Sequence, residues 1–431
     1  MRFALIPCAV NVSVCTRFRM IEAVSYRRDL EIATEMDDRH CRRAIGTTFV
    51  PALPSSFWIG PRERAPCKEF GGIWKNVFRE PDRCAVIPLK DLDTAVREAL
   101  SGDEEAFARL IGPYRRELLV HCYRMLGSLQ DAEDVLQEAL LHAWRRLGTL
   151  REPGSFRAWL YKIATNACLD ALDKRPRRTL PSAVYPPADP LGPMAPPFED
   201  PIWLEPLPDE WLVDVADNPE ARYTMRESVT LAFQLTLQLL PPRRRAVLIL
   251  RDVLAWHANE VADLLDMTIS AVTSALHRAR ATMRKYHGAD RENAVRSLPD
   301  DERTRRLLDE YMQAWSAADM AKLIALLKDD ARWIMPPLPT WYQGREAIHA
   351  FVATLLLAPS ARGVGRRYIP TRANGQPAMA IYHQPEAGEV YQAVGLQVLT
   401  VDESAWHIAQ VTTFMKPELF SRFGLANELS E

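Results

Sequence analysis

Twelve of the chain's 32 prolines fall between residues 176 and 219. A proline inside a helix removes a hydrogen bond and clashes with the preceding turn, so no helix runs through a stretch that dense. The chain must divide there. The division is also electrostatic. Residues 182–230 hold 10 acidic and 2 basic side chains, whereas residues 151–180 hold 3 acidic and 7 basic, and residues 242–287 hold 4 and 8. The net charge of −2 over 431 residues therefore hides two basic patches joined by an acidic spacer. The spacer reads as a linker, extended in places. It carries Ile202-Trp-Leu-Glu-Pro206 and Trp211-Leu-Val213, apolar clusters that either dock on a neighbouring surface or collapse locally.

Before the linker, Ser101-Gly-Asp-Glu-Glu105 places acids where a helix begins. Phe107, Leu110, Ile111, Tyr114, Leu118, Leu119, Cys122, Tyr123 and Leu126 then recur at helical spacing until Gly127-Ser128. A second amphipathic helix is expected over Asp131–Leu147 and a third from Phe156 to about Lys174. Residues 91–175 thus read as an all-helical domain. Residues 220–290 read as helical again. They close with two short helices near His257–Leu265 and Ser270–Tyr286, about a tight turn with Thr268 or Ser270 as N-cap. Residues 300–431 change character. Helices near Thr304–Ala318 and Ala321–Leu327 precede strand-like pieces at 331–335, 379–382, 390–399 and 406–414. The third piece is apolar on both alternating faces, which suits a sheet covered on both sides, and helices followed by a meandering sheet make an α+β domain. Residues 1–88 show no sustained periodicity. They read as a disordered leader, or as a mis-assigned one with translation beginning near residue 86.

Several classes are excluded. The longest apolar runs are too short to span a bilayer. Pro7 and Asn11 interrupt a faintly signal-like start. Five of the 7 cysteines lie within the first 90 residues, no CxxC occurs, and no Cys/His set has zinc spacing. No metal and no cofactor is expected, and the main body reads as reduced and cytoplasmic.

Three segments carry recognisable chemistry. The last two helices before residue 290 have helix-turn-helix dimensions. Val261, Ala262, Leu265, Val272, Leu276 and Ala279 would pack them together. Ser270, Thr273, Ser274, His277, Arg278 and Arg280 would then face outward, as hydroxyls for base edges and cations for phosphates or guanine. An ordinary helical hairpin with a solvated basic face has the same pattern. The helix Phe156–Asp170 interleaves aromatics with cations and runs into Lys174-Arg-Pro-Arg-Arg178, suiting melted DNA, because bases stack on rings while cations hold phosphates. Trp159 and Ile163 could equally be core; Asn166 is polar in mid-helix. Asp131, Asp134 and Glu138 share one helical face. That face fits a docking surface, catalytic acids, solvated surface or, with no histidine at ligand spacing, least of all a metal.

Taken in order, Asp131-Ala-Glu-Asp-Val-Leu-Gln-Glu138, Phe156-Arg-Ala-Trp-Leu-Tyr-Lys-Ile-Ala-Thr-Asn-Ala-Cys-Leu-Asp170, Leu240-Pro-Pro-Arg-Arg-Arg-Ala-Val-Leu-Ile-Leu-Arg-Asp-Val-Leu254 and Ala271-Val-Thr-Ser-Ala-Leu-His-Arg-Ala-Arg280 resemble four blocks of bacterial sigma factors of the extracytoplasmic-function type. The resemblance covers about residues 91–287. It implies two partners, promoter DNA and core RNA polymerase, the latter through the β′ clamp helices and the β flap. Asp131, Glu133, Asp134, Gln137 and Glu138 would face the clamp helices. Trp159, Tyr161, Lys162, Asn166 and Arg175 would read and melt the −10 element, with a flipped base in a pocket beside them. Ser270, Thr273, Ser274, His277, Arg278 and Arg280 would meet the −35 element in the major groove.

The tail resembles the cone-shaped SnoaL-like (polyketide-cyclase-like) fold through Tyr311-Met-Gln-Ala-Trp-Ser-Ala-Ala-Asp-Met-Ala-Lys-Leu323, Asp330-Ala-Arg-Trp-Ile-Met-Pro-Pro337 and Tyr342-Gln-Gly-Arg-Glu-Ala-Ile348. A subset of these sigma factors carries such a tail after a linker similar to Trp203-Leu-Glu-Pro206 and Pro208-Asp209, which implies modulation in cis. The expected fold is multidomain: two all-α domains, the second with a helix-turn-helix, and an α+β cone. The expected function is promoter-specific initiation by a subunit that is not an enzyme and has no catalytic residues. The alternatives lie in the tail. A small apolar molecule could be sensed among Trp333, Met335, Trp341 and Phe351, unless those side chains fill the core. An isomerase or cyclase would draw on Asp330, Tyr342, His349, His383, Tyr391 or Gln392. The acidic linker, with Asp209, Glu210, Asp214 and Asp217, would either mimic nucleic acid over a basic face or serve solubility.

Overall fold

The computed structural model describes residues 89–197, 203–212, 226–287, 301–357, 365–386, 389–402 and 405–430. The leader expected over 1–88 lies outside these residues, as do Asp214 and Asp217. Four helices come first: α1 Leu89–Leu100, α2 Glu104–Leu126, α3 Leu129–Arg146 and α4 Phe156–Lys174. α2 begins where the Asp103 carboxylate accepts the Ala106 N–H at 3.0 Å. It ends where Gly127 adopts φ 73°, the left-handed geometry that closes many helices. Leu110, Leu118, Tyr123, Leu136, Leu140 and Leu160 bury their stripes against one another.

After the linker come α5 Leu231–Leu239, α6 Pro242–Leu248 running into one wider turn at Ile249–Val253, α7 Ala258–Leu265 and α8 Ile269–His287. Asp266 sits in the left-handed region at φ 52° and turns the chain, and the Thr268 hydroxyl caps α8 through the Ala271 N–H at 3.2 Å. The two helical segments, separate in sequence, share one apolar core in space. Tyr161 of α4 and Trp256, just before α7, meet with ring centres 5.0 Å apart.

The tail adds α9 Asp301–Ser316, α10 Met320–Ala325, β1 Leu327–Ile334, β2 Trp341–Gln343, α11 Arg345–Leu357, β3 Arg366–Ala373, β4 Gln376–His383, β5 Tyr391–Asp402, β6 His407–Phe414 and β7 Glu428–Leu429. The strands lie in the order β2-β1-β6-β5-β4-β3, with β7 beside β5. Only the β1–β6 pair among these is parallel. Leu327, expected to end a helix, opens β1 instead. β2, β3 and α11 are additions to the sequence reading.

Both sheet faces are covered. Trp333, Met379, Leu399 and Val411 pack inward with α9 and α11. Ala378, Leu396, Val398 and Phe414 pack on the other side against Leu419, Phe420 and Phe423 of the helical turn Pro417–Phe423, and against Leu231 of α5. Leu231 thereby carries the tail's outer core into the helical body.

Candidate nucleic-acid interface

The acidic helix α3 starts at Ser128, whose extended backbone aims its hydroxyl at the Asp131 N–H, 3.1 Å away. A linker carboxylate joins it there. Ser128 Oγ donates to Glu205 Oε2 at 2.8 Å, the Gln130 N–H donates to the same oxygen at 3.3 Å, and Lys416 Nζ donates to Oε1 at 2.9 Å. Negative charge is favourable at a helix N-terminus. Burial pushes the Glu205 carboxyl up, yet the Lys416 charge, hydrogen bonds from Lys416 and Ser128, and Arg178 together hold it below the usual carboxylate range.

The five acidic and amide residues expected on this helix divide into two sets. Asp131 is buried, with Arg175 and Arg178 closing on its two oxygens, the latter at 2.5 Å. Glu133 is half-buried and meets Arg422 from the turn after β6 at 3.0 Å. Burial lifts its carboxyl above the usual range, against the pull of Arg422. Asp134, Gln137 and Glu138 are exposed.

On α4, Tyr161 is fully buried, its ring 5.1 Å from His121 and 5.0 Å from Trp256. Trp159 is half-buried, stacked on Phe156 at 5.8 Å. Lys162 reaches across to α7, donating to the Asp263 carbonyl at 3.0 Å and to Asp266 at 2.7 Å. Asn166 and Arg175 are exposed, Arg175 bound to Asp131. A groove of about 580 Å³ runs between α3 and α4, with Asp134 and Glu138 on one wall and Trp159, Asn166 and Lys174 on the other. It brings an acid-lined surface and an aromatic, amide-bearing surface into one concavity, large enough for a base laid on Trp159.

In the helix pair α7–α8 the six apolar residues expected to pack are all buried. Ser270, Thr273, Ser274, His277, Arg278 and Arg280 are all exposed. Arg280 is held by Asp252, with Nε at 2.9 Å and Nη2 at 2.7 Å from its two oxygens.

Sequence reasoning passed over Asn374, Lys416 and Arg422, which lie in the tail and act on the helical body. Glu205 stood inside a flagged cluster, and the docking alternative for that cluster is the one observed. Trp203 is buried and donates its indole N–H to the Pro337 carbonyl at 2.9 Å, and the Leu207 N–H donates to Asn374 Oδ1 at 3.0 Å. Asp209 faces the tail rather than a DNA-binding surface, accepting from Arg372 Nε at 3.0 Å and the Gly375 N–H at 2.7 Å. Glu210 is exposed. Of the six residues named for tail chemistry, His383 and Gln392 pair in register across β4 and β5 with Tyr391 next along the chain, while Asp330, Tyr342 and His349 lie on β1, β2 and α11. His383 lines the tail's cavity, while Asp330, His349 and Gln392 are exposed and Tyr342 stacks on Phe351 at 4.4 Å. Among the described residues no His, Cys, Asp and Glu group suits a metal, and no helix is long and apolar enough to cross a membrane.

Three family profiles match the chain: Sigma-70 region 2 over residues 110–178, Sigma-70, region 4 over residues 230–283, and SnoaL-like domain over residues 308–407. The ECF RNA polymerase sigma factor SigG of Mycobacterium tuberculosis (strain H37Rv) is 43% identical over 366 residues, 83% of this chain and 95% of that protein. The ECF RNA polymerase sigma factor SigW of Bacillus subtilis (strain 168) is 26% identical over 190 residues, 44% of this chain and 93% of that protein. The crystal structure of the Mycobacterium tuberculosis extracytoplasmic function sigma factor SigJ matches with a TM-score of 0.47 and 20% identity, covering 72% of this chain and 97% of that one.

Proposed function

The chain belongs to the extracytoplasmic-function sigma factors, which direct RNA polymerase to specific promoters, and from that premise we propose that its tail and linker hold the promoter-reading helices in a closed form that core polymerase opens. As a sigma factor it is a transcription factor, and the SnoaL-like tail is assigned no reaction. In this reading Asp134, Gln137 and Glu138 meet the β′ clamp helices first, and Glu133 joins when Arg422 lifts away. Trp159, Lys162, Asn166 and Arg175 serve the −10 element. Tyr161 becomes reachable once Trp256 withdraws. The exposed face of α8 serves the −35 element while its domain rests on the β flap.

One observation carries the closed form. Lys162 Nζ lies 2.7 Å from Asp266, so the −10 helix touches the helix-turn-helix. The two promoter elements stand about 25 base pairs apart, on the order of 85 Å at about 3.4 Å per base pair. One promoter cannot engage both surfaces while they touch. The test is transcription in vitro by core polymerase and the full-length chain. Arg422→Glu repels Glu133 and is expected to raise output several-fold at limiting polymerase. The pair is partly exposed, so its loss costs under about 1 kcal/mol of stability. Unchanged output from a folded Arg422→Glu chain removes the tail as a restraint.

A second reading has its own support: a small apolar molecule enters the tail. A cavity of about 360 Å³ lies inside the cone, walled by Trp315, Trp333, Met335 and Phe351. Trp341, expected there, instead donates its indole N–H to the Tyr185 carbonyl at 2.8 Å.

A further inference from the structure

The first turns of α8 depart from the expectation that its hydroxyls read bases. Thr273, one of the exposed residues expected to offer a hydroxyl to a base edge, donates it instead to the Ile269 carbonyl at 3.0 Å. A threonine hydroxyl turned back on the residue four positions before it is satisfied by its own helix. With that proton spent, the exposed side chain of Thr273 offers an acceptor and a methyl group. One turn before it stands Ile269, the first residue of α8 and 54% exposed. The next large aliphatic side chains along the helix, Val272 and Leu276, are buried. Residues four apart lie on one helical face, so Ile269 and Thr273 set a branched aliphatic chain beside a methyl. The exposed Ser270 and Ser274 are their polar neighbours. In a helix-turn-helix the N-terminal residues of the second helix are those that contact base edges. In the major groove thymine is marked by an apolar group, its C5 methyl. Hydroxyls and cations discriminate hydrogen-bond patterns, whereas an aliphatic side chain discriminates this methyl.

We propose that Ile269, together with the Thr273 methyl, is a specificity-determining contact for the C5 methyl of a thymine in the −35 element. The proposal rests on the reading that α8 serves that element, and goes beyond it by naming a base and the atom that identifies it. Thr273 acts here through its methyl and not through its hydroxyl. Ile269 has no attraction for phosphates, so its contribution is to base choice and not to the salt-dependent part of the affinity. It was absent from the residues expected at this interface because an isoleucine among hydroxyls and cations reads as core; only its exposure says otherwise.

The experiment uses core polymerase bound to the full chain, with a promoter selected from random DNA. Each thymine of its −35 element, on either strand, is replaced in turn by deoxyuridine, which lacks only the methyl, and promoter binding is measured by competition. One position, or two adjacent ones, is expected to lose roughly 4-fold, the worth of one methyl taken out of water. Ile269→Ala should bind the thymine promoter no better than the parent binds the deoxyuridine one, and should not tell the two apart, at an unchanged slope of log affinity against log salt. Thr273→Val, which keeps a methyl and removes the hydroxyl, should preserve the preference. Equal binding of thymine and deoxyuridine promoters by the parent, with affinity still lost when the whole −35 element is replaced by unrelated sequence, overturns this inference alone. Indifference to that replacement overturns it together with the −35 role of α8. A preference that survives Ile269→Ala moves the methyl contact to another residue, and one lost in Thr273→Val gives the reading to the hydroxyl; either overturns the assignment. Equal weakening of every promoter by Ile269→Ala, including those without the −35 element, makes the side chain a protein contact and overturns it as well.

Discussion

At the scale of single residues, the sequence names chemistry well and exposure poorly. Asp131 was legible as a member of an acidic face, and Glu133 only through the family resemblance. Their enclosure was not, because Arg175, Arg178 and Arg422 reach them from 44, 47 and 289 positions away. Tyr161 shows the same limit: an aromatic among cations suits a stacked base, and equally a ring that meets Trp256. Glu205 is the residue where most converges, joining the N-terminus of α3, the linker and Lys416. Its folded carboxyl lies below the usual range, so the stability it contributes is present above about pH 4.3, the unfolded value, and is lost as pH falls through the folded one. Glu205→Gln is therefore expected to cost about 1–3 kcal/mol in urea melts at pH 7, with the gap to the parent closing below about pH 4. A gap independent of pH would mean that the charge is not what holds this junction.

At the scale of elements, helices were read closely because a period of 3.6 and a capping residue are local signals. α4 was expected over the residues it occupies, and Thr268 does cap α8. Strands fared unevenly. β3, Arg366-Arg-Tyr-Ile-Pro-Thr-Arg-Ala373, mixes cations and a proline at the sheet edge and shows no alternation. The turn after it was legible: Asn374-Gly375, both at positive φ, is a strong two-residue hairpin signal that went unused. α8 presents its polar face as periodicity predicts, but its cations are not equivalent. Both Arg278 and Arg280 are exposed, but Arg280 is clamped by Asp252. Arg278→Ala should weaken −35 DNA binding and lower the slope of log affinity against log salt by about 1. Asp252→Ala should strengthen binding to any duplex, by releasing Arg280. Identical salt slopes for Arg278→Ala and the parent would take Arg278 away from the phosphates.

At the scale of the whole molecule, Asn374 ties four segments together. Fully buried and at φ 57°, where asparagine is tolerated, it accepts from the Leu207 N–H at 3.0 Å and donates to the Tyr123 hydroxyl at 2.7 Å and the Val229 carbonyl at 2.6 Å. Tyr123 passes its own proton to the Glu205 carbonyl at 2.7 Å. Tail, linker, α2 and the segment leading into α5 are thus joined through one amide. Asn374→Ala takes the side-chain partner from the Leu207 N–H and the Val229 carbonyl, and is expected to cost about 2–4 kcal/mol in denaturant melts and to raise transcription output at limiting polymerase by loosening the closed form. A variant as stable and as quiet as the parent would show that the closed form is held elsewhere.

The sequence by itself determined the order of the parts, the two helical segments, the helix-turn-helix, the α+β tail and the family, because periodicity, caps, proline density and ordered motifs are local and survive without a fold. Only the tertiary structure decided that both helical segments share one core, that the tail's Arg422 lies on Glu133, and that Lys162 is held by α7. Those are meetings of residues from about 100 to nearly 300 positions apart. They follow from how whole surfaces bury one another, which no window along the chain contains.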